Sequence, residues 1–376
     1  MGTDPPRIAL TGLSVLTAYG RGMGALADGV YSGDPAFGPV TRFPVSRYRV
    51  GVAAALPGDP VLEDELVGAV GEACGEAGLT DADRAATPLL LARHADPAVA
   101  RLPEPGLATA ADTGVAVARR SGLLRAERTY NPACVAASNA VATAAAMIVA
   151  GRAERVVVAA GYLVDADNFA LFDAGRALAA DGQLRSFSAG RKGLLLGDGV
   201  GAVVVESLAS AERRGAPVLA HLAGWGRAGD AYHVCQPHPE GIGMARAMAS
   251  AARRAGVPLT SVGYVNAHGT GTRYNDSAEA AAVNRAFGEH AENVPVSSTK
   301  SLHGHTLEAS GLVELAVTVL ALQRGKLPVN AGYLGPDEQC RLNLVTGEPL
   351  DAQPEYAMSL NAAFGGANTA LLVRAA

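Results

Sequence analysis

The stretch Val135 to Ala150 carries no charge on any face and consists of Ala, Val, Ser, Asn, Thr, Met and Ile. A helix that is apolar all round is stable only between other layers of protein, so this segment belongs at the centre of a layered body. Just before it stands Cys134, in Asn131-Pro-Ala-Cys134. A thiol on the first turn of such a helix meets unpaired backbone N–H groups and the positive dipole end, a setting that favours thiolate. A lone buried cysteine is more often a small core residue. Two later segments shift that balance. Val265-Asn-Ala-His268-Gly-Thr-Gly-Thr272 sets a histidine in a Gly/Thr turn after an apolar strand. Lys300-Ser-Leu-His-Gly-His305 sets another at the start of a second apolar helix, expected over residues 305–322. One cysteine and two histidines at element ends read as a nucleophile with two polar helpers.

The remaining chemistry is narrow. With 49% apolar and 18% charged residues among 376, the chain buries a large core and is not disordered. A net charge of −5 with 5% aromatic residues argues against nucleic acid as the main partner. The uncharged run after Cys134 is too rich in Ala, Ser and Asn to prefer lipid. The first residues lead straight into a strand and do not read as a signal peptide, and Arg7 argues against myristoylation at Gly2. The four cysteines (Cys74, Cys134, Cys235, Cys340) form no C-x-x-C pair, so neither a zinc site nor a disulfide framework is expected, and the compartment reads as reducing cytosol.

Strand and helix patterns alternate throughout, the signature of α/β layering. Strands are expected at residues 7–12, 88–93, 155–160 and 199–206, with helices at 61–76 and 108–120. The order then restarts: strand 217–225, helix 241–255, strand 262–266, helix 277–287, strand 294–297, and last strands at 356–360 and 369–374. Each half ends in a buried helix with reactive groups at its N-terminus, Cys134 in one and His305 in the other. This predicts two pseudo-equivalent halves, 1–213 and 214–376, with the site at their seam.

Taken in order, several segments resemble the β-ketoacyl-acyl-carrier-protein synthases, elongating condensing enzymes (ketosynthases) of the thiolase fold. They are Thr11-Gly-Leu-Ser-Val-Leu-Thr, Ala133-Cys134, Gly197-Asp-Gly-Val-Gly-Ala, Asp230-Ala-Tyr-His233, Asn266-Ala-His-Gly-Thr-Gly-Thr272, Lys300 to His305, and Phe364-Gly-Gly-Ala-Asn368. The resemblance implies a five-layered αβαβα body. It implies that Cys134 holds an acyl group while His268 and His305 polarise a malonyl thioester as CO₂ leaves. It assigns the oxyanion hole to the N–H groups of Cys134 and Phe364, and an ion pair beneath His305 to Lys300 and Glu314. Thr270 and Thr272 would bind the pantetheine arm, and Phe364 would gate the acyl pocket. No resident cofactor or metal is implied, since phosphopantetheine arrives on the acyl carrier protein. Acyl and malonyl thioesters are the implied substrates, and a cytoplasmic homodimer, or a heterodimer with a related subunit, the implied assembly, pairing through Arg128–Asn131.

His303 is expected on a loop, pointing away from the site as a surface or supporting group; His233 and His238 are expected to rim the pocket at most. Four positions depart from the family's pattern. Glu308 stands where a Gly is usual, Ser188 and Lys192 replace acidic residues, and Ala362 replaces a pocket aromatic. The stretch between Leu89 and Tyr130 is also short. These departures favour polyketide or other specialised assembly over primary fatty-acid elongation. They keep two rivals open: an acyltransferase passing the acyl group to an amine or alcohol without losing CO₂, and a partner subunit of a ketosynthase heterodimer. The second rival usually lacks the nucleophile that Cys134 supplies. A thiolase would need a second cysteine near the Gly-rich turn, and Cys340 lies outside it.

Overall fold

Val-rich runs with no polar alternation become strands buried on both faces, as sheets sandwiched by helices require. The computed structural model describes residues 7–94, 110–131 and 133–376. Within these, the first half supplies β1 (Ile8–Thr17), β2 (Leu89–Arg93), β3 (Ala126–Tyr130), β4 (Arg155–Tyr162) and β5 (Gly199–Ser207). The second supplies β6 (Ala220–Gly229), β7 (Val262–Asn266), β8 (Val296–Ser297), β9 (Tyr356–Ala363) and β10 (Ala367–Arg374). Strands β1, β4 and β5 are buried at every position.

The strand order is β8-β7-β9-β10-β6-β1-β5-β4-β2-β3. Read outward from its middle, each half has the same order and the same directions. The second strand is parallel to the third and fourth, and the fifth is antiparallel to the fourth and first. The repeat seen as a pattern in the sequence is therefore a repeat in topology. The halves are not separate sheets, however. Ile8, Ala9 and Leu10 of β1 pair antiparallel with Leu222, His221 and Ala220 of β6, which joins the two sheets at one corner.

Helices fill the layers. Helix α1 (Leu62–Glu76) and α2 (Ala110–Arg120) cover the outer face of the first half, and α4 (Ile242–Ala255) and α5 (Arg273–Phe287) that of the second. Residues 108–109 of the expected second helix lie outside the described residues. Between the sheets lie α3 (Ala136–Val149) and α6 (Ser310–Arg324), which pack on each other and on strands of both halves. The result is the αβαβα sandwich. Its central core joins the Ala face of α3 to Leu312, Leu315, Ala316 and Val319 of α6. On the outside, α4 buries Met244, Ala247, Met248 and Ala251, the i, i+3, i+4, i+7 stripe of an amphipathic helix. It lies so close to β6 that a Cβ at Gly226 would stand 1.9 Å from the Ala247 carbonyl oxygen. No helix among the described residues is long and apolar enough to cross a membrane.

Three local expectations are corrected. The helix expected to start at His305 starts at Ser310. His305 is extended instead, because its N–H donates to Leu195 O (2.7 Å) and its carbonyl accepts from the Gly197 N–H (3.0 Å). Cys134 lies on a 3₁₀ turn, Ala133–Val135, ahead of α3 rather than within its first turn. His303 is not on a surface loop: it is fully buried in the short helix Lys300–His303, its ring nitrogens bonded to Thr299 Oγ1 (3.1 Å) and Gly304 O (2.9 Å).

Candidate active site

The two central helices bring their N-termini together, and with them the reactive groups of both halves. Ala133, in the left-handed region at φ 47°, turns the chain so that Cys134 faces inward. Cys134 Sγ stands 3.0 Å from His305 Nε2. His268 comes from the loop after β7, and its ring meets that of His305 edge-on, centroids 5.4 Å apart. One donor atom from each of Cys134, His268 and His305 lies within 4.8 Å of the other two, and all three residues are buried.

Each imidazole is held by its outer nitrogen. Lys300 Nζ donates to His268 Nδ1 (3.1 Å), which leaves the His268 proton on Nε2. His305 Nδ1 meets Ser310 Oγ at 3.1 Å, a hydroxyl able to donate or accept. Backbone geometry supports both rings. The Glu279 carboxylate accepts the N–H groups of His268 (2.6 Å) and Gly269 (2.7 Å). Gly269, at φ 32°, leaves room where a Cβ would stand 2.5 Å from Ser298 Cβ.

Lys300 and Glu314 form a wholly buried ion pair, and Asn361 Nδ2 donates to the second Glu314 oxygen. The pair lies behind His268, whose Nδ1 the ammonium group touches, and not beneath His305 as expected. Burial raises Glu314 to about 6, against the pull of Lys300. The same ammonium group opposes a cation at the front of His268, although the three donor atoms are close enough to hold one.

The electrostatics reverse one expectation. Burial, then the Lys300 charge, holds both His268 and His305 well below 6.5, so both are neutral. Burial pushes the Cys134 thiol up to about 12; the Glu308 carboxylate adds to this and Lys300 subtracts from it. Removal from water outweighs the helix terminus, and the resting pair is thiol and neutral imidazole.

The other singled-out residues divide. Thr270 and Thr272 bond to each other through their hydroxyls (2.8 Å) beside His268. Strands β9 and β10 pack on the Cys134 turn, and Phe364 follows β9 with its ring 60% exposed, stacked on Phe172 at 6.4 Å. His233 and His238 accept backbone N–H bonds within their own exposed loop. Ser188 is buried and accepts the Leu334 N–H (2.9 Å), while Lys192 is exposed and pairs with Asp181 at 3.4 Å. Glu308 is 1% exposed. Glu279, Ser310 and Asn361 were not foreseen. Only Glu279 left a trace in the sequence, as an acid on the apolar side of α5.

Comparisons with known proteins show what the chain resembles in sequence and in fold. The family description "Beta-ketoacyl synthase, N-terminal domain" matches residues 117–211 and "Beta-ketoacyl synthase, C-terminal domain" residues 219–333, together more than half of the chain. The chain belongs to the β-ketoacyl synthase family. It is 42% identical over 207 residues to a 3-oxoacyl-[acyl-carrier-protein] synthase 2 of Staphylococcus aureus, covering 54% of this chain and 51% of that protein. It is 43% identical over 200 residues to nodulation protein E of Rhizobium meliloti, covering 53% and 49%. The match thus spans about half the length of these curated relatives. Solved structures align throughout. A β-ketoacyl synthase from Burkholderia phymatum gives a TM-score of 0.90 at 28% identity, over 99% of this chain and 100% of that one. The ishigamide ketosynthase/chain length factor gives 0.90 at 26%, with the same coverage.

Proposed function

We propose that the protein is a decarboxylating condensing enzyme acting on carrier-protein thioesters. The observation that carries this is the 3.0 Å contact between Cys134 Sγ and His305 Nε2, with the neutral His268 beside it. In the first half-reaction sulfur attacks the acyl thioester carbonyl as its proton passes to His305. The donor's C–S bond then breaks, and the proton leaves with the released pantetheine thiol. No thiolate accumulates, in keeping with the raised thiol pKa.

In the second half-reaction Nε2–H groups of His268 and His305 donate to the malonyl thioester oxygen. Its charge grows as the bond to CO₂ breaks, and neutral donors are suited to a charge present only in the transition state. The enolate carbon attacks the acyl-Cys carbonyl, and the Cys134 sulfur leaves as thiolate and takes a proton from His305 Nε2, which is replaced from solvent. Ser310, able to donate or accept, lets His305 hold its proton on the nitrogen each step needs. The N–H groups of Cys134 and Phe364 are the oxyanion hole in this reading, and Thr270 and Thr272 contact the pantetheine arm. No resident cofactor is required, because phosphopantetheine arrives with the substrate. The carrier protein is the partner and the cytoplasm the compartment. Strand β3, an edge of the sheet among the described residues, pairs two subunits, which removes an exposed edge.

The rival, acyl transfer without loss of CO₂, is favoured by one observation: the buried Glu308 carboxylate raises the Cys134 thiol and would repel a malonyl carboxylate. One experiment separates the two. Intact-mass analysis after mixing with acyl-carrier protein, then malonyl-carrier protein, should show an acyl adduct on Cys134 that disappears as CO₂ and a β-ketoacyl product form. An acylated enzyme that leaves malonyl-carrier protein untouched favours the rival.

A further inference from the structure

Glu308 is the least explained charge in the molecule. It lies on the turn Leu307–Ala309, which packs against the turn of Cys134 and begins with Leu307 in the left-handed region at φ 41°. One carboxylate oxygen, Oε1, bonds His94 Nδ1 at 2.9 Å, reaching across 214 residues of sequence to a half-exposed ring. The other, Oε2, is buried with no hydrogen-bond partner among the described residues. The Tyr162 hydroxyl, close enough for the Glu308 charge to act on it, is also buried, and its one polar contact is a loose one to the Asp165 backbone. Asp165 and Asp198 lie on the Tyr162 side, and apolar residues line the side of the sulfur. Cys134, Tyr162 and Leu307 belong to one cluster with Val164, Leu178 and Leu194.

A carboxylate accepts hydrogen bonds and donates none, so an unpaired buried carboxylate oxygen is a site for a donor. The turn of Glu308 packs on the turn of the sulfur that receives the acyl group, so a donor on the acyl chain can fill that place. We propose that Glu308 Oε2, with Tyr162 Oη, selects acyl groups carrying a hydroxyl or amine on the chain over plain alkyl groups. This rests on acylation of Cys134 and names the class of acyl donor for it. The chemistry is thioester exchange: the donor's C–S bond breaks, the bond to Cys134 Sγ forms, and the thiol proton ends on the leaving pantetheine. Glu308 takes no part in these bonds. The surrounding leucines and valines hold the hydrocarbon part of the chain, while the carboxylate and phenol hold its polar group. A site built to bond a polar group discriminates strongly against the analogue that lacks it, because its own buried groups are then left unpaired.

The test loads the full-length protein with pantetheine thioesters of hexanoate, 3-hydroxyhexanoate, 6-hydroxyhexanoate and 6-aminohexanoate, followed by intact mass with Cys134→Ala as control. The wild type should load at least one polar member with kcat/KM about 10-fold or more above hexanoate. Glu308→Gly should erase or invert that ratio. Glu308→Gln, which keeps the volume and one acceptor, should retain preference for a hydroxyl and lose it for the amine. Tyr162→Phe should reduce the preference. Melting curves confirm that each variant is folded. Equal loading of hexanoate and all polar members by the wild type, or a ratio unchanged in Glu308→Gly, overturns the proposal and leaves the condensing reading intact. If Cys134 takes no acyl group from any thioester, both fall together.

Discussion

The two halves share one topology but hold their reactive residues differently. In the first half the nucleophile is placed by backbone alone: a left-handed alanine, a 3₁₀ turn and an uncharged helix. In the second half every reactive group is tied to polar neighbours, His268 to Lys300 and Glu279, His305 to Ser310, and Lys300 to Glu314. A thiol needs only a fixed position and dryness, whereas an imidazole must also hold its proton on a chosen nitrogen. The duplicated fold supplies position twice, and the second half adds the hydrogen bonds that choose a tautomer.

The sharpest way to break this contrast is to disable one half at a time. Cys134→Ala should abolish the acyl-enzyme completely, as seen by intact mass. His268→Ala should leave acylation largely intact and slow CO₂ release from malonyl-carrier protein about 10²–10³-fold, the scale of one lost transition-state donor. Equal damage to both half-reactions by His268→Ala would mean that the halves do not divide the chemistry.

Stability should show the same asymmetry. Lys300→Met strands a buried carboxylate at Glu314, and urea unfolding should report a loss of about 3–5 kcal/mol. The ion pair Arg42–Asp198 in the first half should be less sensitive, because Asp198 keeps the N–H groups of Leu56 (2.7 Å) and Val164 (2.6 Å) when Arg42 is replaced. A larger loss for Arg42→Met than for Lys300→Met would invert the comparison.

The smallest effect concerns pH. Burial raises Glu279 from 4.5 to about 7. A group whose folded pKa is raised contributes stability that is present below its unfolded pKa and lost as pH rises through the folded value. Across pH 4.5 to 7 the wild type should therefore lose on the order of 3 kcal/mol relative to Glu279→Gln, which has no such titration. The buried histidines act oppositely in both proteins, since their depressed pKa values make stability fall with falling pH below 6.5. Their effect cancels in the difference. A pH-independent gap between the two urea midpoints would refute the Glu279 assignment.

Much of this was legible in the sequence because periodicity and element ends are local properties. The uncharged run after Cys134 announced a central helix, and the Gly-rich turns around His268 and His305 announced element ends. What escaped was set by distant parts of the chain. Leu195 and Gly197 capture the His305 backbone and delay its helix to Ser310. Lys300 leans toward His268 because the loop after β7 folds over it, which no spacing within residues 300–314 reveals. The raised thiol pKa escapes the sequence because a helix terminus is visible there, while burial by distant segments is not. Glu308 stood out as a departure, but its partner His94 could be identified only in three dimensions.

The corner where Ile8–Leu10 meets Ala220–Leu222 has a mechanical consequence. Cysteine and histidines are carried by opposite halves, so their separation is only as firm as the seam between them. Three residue pairs of antiparallel backbone, loaded along the strand direction, resist sliding as a riveted lap joint does, with several bonds sharing the load at once. Slippage there by a single register step would move β6 against β1 and load the His305 backbone bonds to Leu195 and Gly197, the second tie between the halves. The alignment of the reactive trio is therefore secured partly by a rivet at the start of β1.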